Sequence, residues 1–315
     1  MKILSRSLLA AGLAVGLSAG SAAAQEDLEF VVVTHGQAAD PFWSVVKNGI
    51  DEAAEDMDVN VTYRAPTTYD MVKMSQLIDA AAASQPDGIV VSIPDADALE
   101  GPIENAVASG VPMISINSGA KPSQELGTLT HIGQTPYEAG LGAGERMAEA
   151  GVTNAVCINQ EVGNVALDKR CEGFADGLGE NAESEVLAVS IDPTEVRNSV
   201  VAFLRQNDGI DGVLTLGPTG ADPTLQALKQ LGSVDKYKFG TFDLSPETLR
   251  AVEKGQIMFA IDQQQYLQGY LPIVMLTQYA KYGVLPAEDV LLTGPGFVTE
   301  ETASQVVDLA EKGYR

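Results

Sequence analysis

The chain has 315 residues, 43 Asp+Glu against 19 Lys+Arg, and a formal net charge of −24, with 45% apolar residues and two Cys. A surface that acidic makes nucleic acid and anionic membrane poor partners. Beyond the N-terminus no run reaches ~18 uninterrupted apolar residues, so no membrane-spanning helix is expected there.

The first 24 residues read as a secretory leader. Lys2 and Arg6 give the basic start, Leu8 to Leu17 the apolar run, and Ala22-Ala23-Ala24 a small-residue cleavage site. No Cys stands near the cut, so no lipid anchor is indicated. The mature chain is expected to start near Gln25 as a soluble protein exported to the periplasm. About 290 residues then remain, enough for two domains of ordinary size.

Phe30-Val31-Val32-Val33 opens the fold as a buried strand, and Asp40-Pro41 starts a helix. Asp supplies an acceptor at the N-cap, and Pro a preset φ at the first helical position. The helix buries Phe42, Val45, Val46, Ile50, Ala53, Ala54 and Met57, spaced by three and four. His35 to Trp43 therefore sits at the carboxyl end of an inner strand, where open α/β sheets bind ligands. The only Trp in the chain, Trp43, lies there beside Phe42.

The alternation continues. Helix Met71 to Ala83, a turn at Pro86-Asp87-Gly88 and strand Ile89 to Ile93 come next, then helix Ala98 to Ala108 with Gly110 past its end. Strands Pro112 to Asn117 and Leu129 to Ile132 follow. Thr135-Pro136-Tyr137-Glu138 reads as a capping box, opening a helix to Ala150. Strands Ala155 to Asn159, Val186 to Ser190, Gly212 to Leu216, Tyr237 to Phe242 and Ile257 to Ile261 then alternate with helices. Those helices are Ala166 to Leu178, Glu195 to Gln206, Pro223 to Leu231, Ser245 to Lys254 and Leu267 to Lys281, and a last extended pass lies near Val290 to Leu292. Some ten strands alternating with helices predict two doubly wound parallel sheets.

Several motifs lack the context their chemistry needs. Gly140-Leu141-Gly142-Ala143-Gly144 lies inside a helix, not between strand and helix, so close helix packing explains it better than a dinucleotide. The only His residues, His35 and His131, have no metal-ligand spacing, and no nucleophile elbow occurs. His131 is expected to make a local hydrogen bond. Neither cofactor, metal nor enzymatic activity is indicated. Cys157 and Cys171, a strand and a helix residue in an exported chain, are read as one disulfide; a small buried apolar role is the alternative for Cys157.

Across almost the whole mature chain the sequence resembles the periplasmic sugar-binding proteins of the ribose/galactose-binding type, the solute receptors of ABC importers. Asp40-Pro41-Phe42-Trp43 looks like that family's Asn-Pro-Phe-aromatic, and Asp87-Gly88-Ile89-Val90-Val91 with Ser92-Ile93-Pro94-Asp95-Ala96-Asp97 like its second-strand turn. Gly110-Val111-Pro112-Met113-Ile114 is similar to its Gly-Ile-Pro-Val. Arg170-Cys171-Glu172-Gly173-Phe174 is similar to its Arg-x-Glu-Gly-Phe, and Thr241-Phe242-Asp243 to its Gly-Phe-Asp. Ile261-Asp262-Gln263-Gln264 stands where the family has a Gln on a strand crossing between domains.

The resemblance implies a periplasmic binding protein type I fold, with two lobes, three crossing strands and ligand between the lobes. The crossings would lie near His131 to Gln134, Ile261 to Gln264 and Leu291 to Gly296. The N-terminal lobe would take 26–132 plus 263–290, and the C-terminal lobe 133–262 plus 291–315. It implies a monosaccharide or related polyol ligand, a membrane permease as partner, and a monomer.

A sugar needs planar donors and acceptors around its hydroxyls and aromatic surface against its C–H face. Phe42 and Trp43 suit the second need, although either could simply pack its helix on the sheet. Arg170, Asp243, Gln263, Asn117, Asp40 and Ser92 suit the first; for Asp40 an N-cap role alone is the alternative, and for Arg170 with Asp243 a structural ion pair. Ribose-type members carry Asp-Arg in place of Asn117-Ser118, and an Asn near Gly217, so a less charged pocket and a ligand other than ribose are expected. His35, Gln37, Gln134, Glu161 and Asn164 are candidates to fill the gaps. Two other functions share the fold: a receptor signalling to a membrane sensor or chemoreceptor, and the effector domain of a lac-repressor-type regulator. The second would need a basic helix-turn-helix where this chain has a leader.

Overall fold

The computed structural model describes residues 27–36 and 40–315, so the leader, the start at Gln25 and the candidate Gln37 lie outside the described residues. The first half runs β1 (Glu29–Val33), α1 (Pro41–Met57), β2 (Asn60–Arg64), α2 (Met71–Ala83), β3 (Gly88–Ser92), α3 (Ala96–Ala108), β4 (Met113–Asn117), α4 (Ala120–Glu125) and β5 (His131–Gly133). The second repeats the pattern with α5 (Pro136–Glu149), β6 (Asn154–Asn159), α6 (Val165–Leu178), β7 (Glu183–Ala188), α7 (Pro193–Gln206) and β8 (Gly212–Thr215). It continues through α8 (Pro218–Leu231), β9 (Lys238–Phe242), α9 (Pro246–Glu253) and β10 (Phe259–Asp262). The chain then returns through α10 (Gln265–Tyr282) and β11 (Val290–Leu292), and ends with β12 (Gly296–Val298) and α11 (Glu300–Glu311).

These strands form two six-stranded sheets, ordered β11-β5-β4-β3-β1-β2 and β12-β10-β9-β8-β6-β7. The orders match element for element. All pairings are parallel except β10 with β12, which is antiparallel. The chain passes between sheets three times: after β5, after β10, and between β11 and β12.

Side-chain alternation places each layer. On β1, Phe30 and Val32 pack with α1 and α10, while Val31 and Val33 pack with α2 and α3. On β6, Val156 and Ile158 face α7 and α8, while Ala155 and Cys157 face α5 and α6. Cys157 therefore points at α6, and it is bridged to Cys171 with Cα atoms 5.8 Å apart. Glycines of α5 and α6 let the two helices meet: a Cβ on Gly140 would lie 2.1 Å from the Arg170 carbonyl oxygen, and one on Gly173 2.1 Å from that of Tyr137.

Some local readings are corrected. Thr135 makes no side-chain cap bond at the start of α5, whereas Thr299 and Thr302 form a capping box at α11. Helix α8 starts at Pro218, five residues before the expected Pro223, which lies inside it. Pro223 has no N–H, so the carbonyl of Thr219, one turn earlier, lacks its helical donor. Strand β2, helix α4 and helix α11 were not anticipated, and β7 begins at Glu183 instead of Val186.

Candidate functional site

The carboxyl ends of both sheets face one another. Between them lies a small cavity of about 40 Å³. From the first half it is lined by His35, Asp40, Phe42, Trp43 and Asn117, and from the second by Gln160, Glu161, Asn164, Thr219, Asp243 and the crossing residue Gln263, among others. Nine residues singled out from the sequence thus meet at one cavity: His35, Asp40, Phe42, Trp43, Asn117, Glu161, Asn164, Asp243 and Gln263.

The backbone aims several of them. Asn117 ends β4 with φ 66°, and Asp243 follows β9 with φ 62°. These are corresponding positions in the two matching sheets, and both residues are in the left-handed region that Asn and Asp tolerate best. Asp40 and Asn164 are the N-caps of α1 and α6: each accepts from a backbone N–H two residues on, Phe42 at 2.8 Å and Ala166 at 3.0 Å.

Polar contacts then tie the residues together. Gln263 Nε2 donates to Asp243 Oδ1 at 2.6 Å, and Asn117 Nδ2 lies 3.5 Å from Gln263 Oε1. Asn164 Nδ2 donates to Glu161 Oε2 at 2.8 Å and lies 3.5 Å from His35 Nε2. The His35 Nδ1 is hydrogen-bonded to Ser92 Oγ at 2.8 Å, and its ring stands edge-on to Trp43 with centroids 4.9 Å apart. Phe42 and Trp43 line the cavity and also pack in the core around β1.

Three predicted residues stand elsewhere. Ser92 sits behind His35, which it holds. Arg170 is buried: its Nη1 donates to the Leu216 carbonyl at 3.2 Å and is 4.0 Å from Asp243 Oδ2, and its guanidinium lies 4.3 Å over the Phe242 ring. Gln134 is buried, with neither amide atom partnered among the described residues. Gln160 and Thr219 line the cavity without having been anticipated. Their position just past β6 and β8, at the carboxyl edge, was the available signal.

The electrostatics are acceptor-rich. Burial pushes the Asp243 carboxyl up to about 7, opposed by Arg170 and by the bond from Gln263. Burial also takes Glu161 to about 7, and it raises Asp40 against the bond from Thr219. His35 is brought down to about 3 by burial and then by the Arg170 charge, so it is neutral near pH 7. Asp40 and Glu161 thus add two carboxyl groups to the cavity beside Asp243, each with its proton held more tightly because of burial. A group with many hydroxyl donors is what such a set can bind.

The two halves also touch across the cleft. Thr219 Oγ1 donates to Asp40 Oδ2 at 2.8 Å, the Val165 N–H to the Pro94 carbonyl at 3.1 Å, and the Tyr69 hydroxyl to the Gly163 carbonyl at 3.2 Å.

Comparison with known proteins agrees with this geometry. The family profile of the periplasmic binding protein domain matches residues 30–283. A carbohydrate transporter of Acidothermus cellulolyticus, solved in complex with myo-inositol, is 35% identical with a TM-score of 0.86, covering 92% of this chain and 100% of its own. A periplasmic sugar-binding protein of an ABC transporter from Legionella pneumophila is 27% identical with a TM-score of 0.79, over 84% of this chain and 99% of its own. The xylose/arabinose-binding protein of Sulfolobus acidocaldarius is 23% identical over 86% of this chain and 71% of its own. With matched sheets, a cleft between their carboxyl edges and a profile spanning most of the chain, this protein belongs to the periplasmic binding protein family.

Proposed function

We propose that this chain is the solute receptor of an ABC importer, capturing a monosaccharide or a related polyol between its two halves. One observation carries the reading: three carboxyl groups, Asp40, Glu161 and Asp243, converge from both halves on one cavity beside Phe42 and Trp43. Buried carboxyl oxygens need donors, and a ring of hydroxyls supplies them while its C–H face meets the aromatics. The relative solved with myo-inositol and the xylose/arabinose-binding relative support the same ligand class.

The lobes are assigned to 26–132 plus 263–290 and to 133–262 plus 291–315. The contacts at the cavity are assigned to the nine lining residues, with Arg170 behind Asp243. The chain is made with a leader, cut after Ala24, and works in the periplasm as a monomer. Closure around the ligand presents a surface to a membrane permease, and the ligand leaves unchanged.

The test is to denature protein purified from the periplasm and identify the small molecules released. Titration calorimetry then follows with myo-inositol, D-xylose, D-allose and D-apiose. Binding of one neutral polyhydroxyl compound with 1:1 stoichiometry is expected. Binding only of charged amino acids or peptides would overturn the reading.

A further inference from the structure

We infer that Gln268, which does not line the cavity, is a positioning residue that fixes the amide of Gln263 and through it the carboxyl of Asp243. The inference rests on reading the cleft as the ligand site.

Gln268 lies in the first turn of α10, fully buried. Its Nε2 stands 3.0 Å from the Gln263 carbonyl oxygen, 3.2 Å from Gln263 Oε1 and 3.1 Å from Thr293 Oγ1. A backbone carbonyl can only accept, so the Gln268 atom facing it is the nitrogen. The Gln263 side-chain atom facing that nitrogen is then its oxygen. This leaves the Gln263 nitrogen to face Asp243, to which it donates at 2.6 Å. Reversing Gln268 would set oxygen against oxygen at two contacts, and reversing Gln263 would set oxygen against Asp243 and nitrogen against the Gln268 nitrogen. The Gln268 amide, oriented by the Gln263 backbone carbonyl, thus joins Asp243 in holding the Gln263 amide in one orientation.

The arrangement has a cost that marks it as more than core filling. Gln268 Oε1 is buried and has no partner among the described residues, and such an orphaned acceptor is destabilising. The same side chain reaches both returning passages of the chain, Gln263 after β10 and Thr293 after β11. Gln268 thus ties two of the crossings between the sheets to the Gln263 amide. In the left-handed turn at Asp243, one carboxyl oxygen is engaged by Gln263, and the other is left toward Arg170 and the cavity.

The experiment is a double-mutant cycle read by titration calorimetry with myo-inositol, or with D-xylose if the unaltered chain prefers it. Gln268→Leu and Gln263→Ala are each expected to weaken binding roughly 10-fold or more. The double variant is expected to bind no more weakly than Gln263→Ala alone, since Gln268 acts only through Gln263. Additive losses, or unchanged binding by Gln268→Leu, would overturn the inference.

Gln268→Glu keeps the shape and gives a second readout, free of any folding defect in the leucine variant. An ionised carboxylate cannot donate to Gln263, whereas a protonated one can. Its affinity relative to the unaltered chain should recover as pH is lowered, and a flat ratio would count against the role. A third readout needs no ligand. The side-chain amide signals of Gln263, assigned by their loss in Gln263→Ala, should move in the NMR spectrum of Gln268→Leu. If the unaltered chain binds no neutral polyhydroxyl compound, the receptor reading fails, while an unmoved Gln263 signal separately refutes the positioning role.

Discussion

Thr219 Oγ1 donates to Asp40 Oδ2 at 2.8 Å, joining the first turn of α8 in one half of the molecule to the N-cap of α1 in the other. The other oxygen of Asp40 caps α1 by accepting from the Phe42 N–H, so one carboxyl both starts a helix and meets the opposite sheet. Opening the cleft would return that carboxyl to water. Closure needs Thr219, or a ligand hydroxyl, to satisfy it.

Thr219→Val should therefore disfavour the closed form. Removing one partner of a buried pair costs about 1–3 kcal/mol, roughly 5- to 150-fold in ligand affinity. The loss should appear mainly as faster dissociation, because closure holds the ligand in. Stopped-flow dissociation and calorimetry read it, and unchanged values would show that the contact is incidental.

Glu161 carries a pH dependence whose sign follows from burial. Its carboxyl is pushed from an ordinary 4.5 up to about 7, first by desolvation, with a further rise from the Asp40 charge and opposition from Asn164 and Arg170. A raised carboxyl contributes stability that is present below its ordinary value and lost as pH rises through about 7. Glu161→Gln never ionises, so its melting temperature relative to the unaltered chain should rise between pH 5 and pH 8. Each ~1 kcal/mol relieved moves the midpoint about 2–4 °C. His35 carries the opposite sign: brought down from 6.5 to about 3, its contribution is present above 6.5 and lost as pH falls toward 3. Thermal melts of Glu161→Gln beside the unaltered chain at both pH values check the Glu161 sign, and parallel curves would contradict the assignment.

The Cys157–Cys171 bridge closes a loop of 14 residues and in the chain-entropy picture is worth ~3 kcal/mol. Reduction should lower the melting temperature by roughly 6–12 °C at that worth. Thiol titration of unfolded, unreduced protein should find no free thiols, and two would rule the bridge out.

Intact-mass measurement of protein recovered from the periplasm should give a chain starting at Gln25. A mass retaining residues 1–24 would contradict cleavage after Ala24.

What the sequence revealed depended on whether a local signal carried the position. The β1–α1 unit was legible because an apolar run, Asp40-Pro41 and a three-four spacing agree, and the structure bears out each. Strand β2 was not, because an edge strand with half-exposed side chains has no apolar run to show. The Thr299 cap was unread because its third helical residue is Thr302 where a capping box usually has Glu or Gln. Pro223 has the look of a helix start, but Pro218 already supplies one. Asn117, Asp243 and Gln263 were reached through family resemblance, and their positions at matching strand ends explain why they converge. Gln160 and Thr219 carry no motif of their own: Gln160 lies in the turn after β6 and Thr219 in the first turn of α8, and only the packed sheets bring them to the cavity. Gln268 lay out of reach altogether, since nothing in a helix's first turn announces that its amide will face the chain's own crossing.

The most direct test of a ligand gripped between the two sheets is titration calorimetry of Asp243→Ala and Arg170→Ala, run beside ligand-free thermal melts. Asp243 stands in the cavity wall, and Arg170 is 4.0 Å behind it. Loss of charge-assisted bonds to hydroxyls, with the other charge left buried and unpaired, should cost ~2–4 kcal/mol of binding, roughly 30- to 1000-fold in affinity. If the two form a structural ion pair only, the melting temperature falls while binding at low temperature survives. A folded Asp243→Ala protein that binds its sugar or polyol with near-normal affinity would contradict the site.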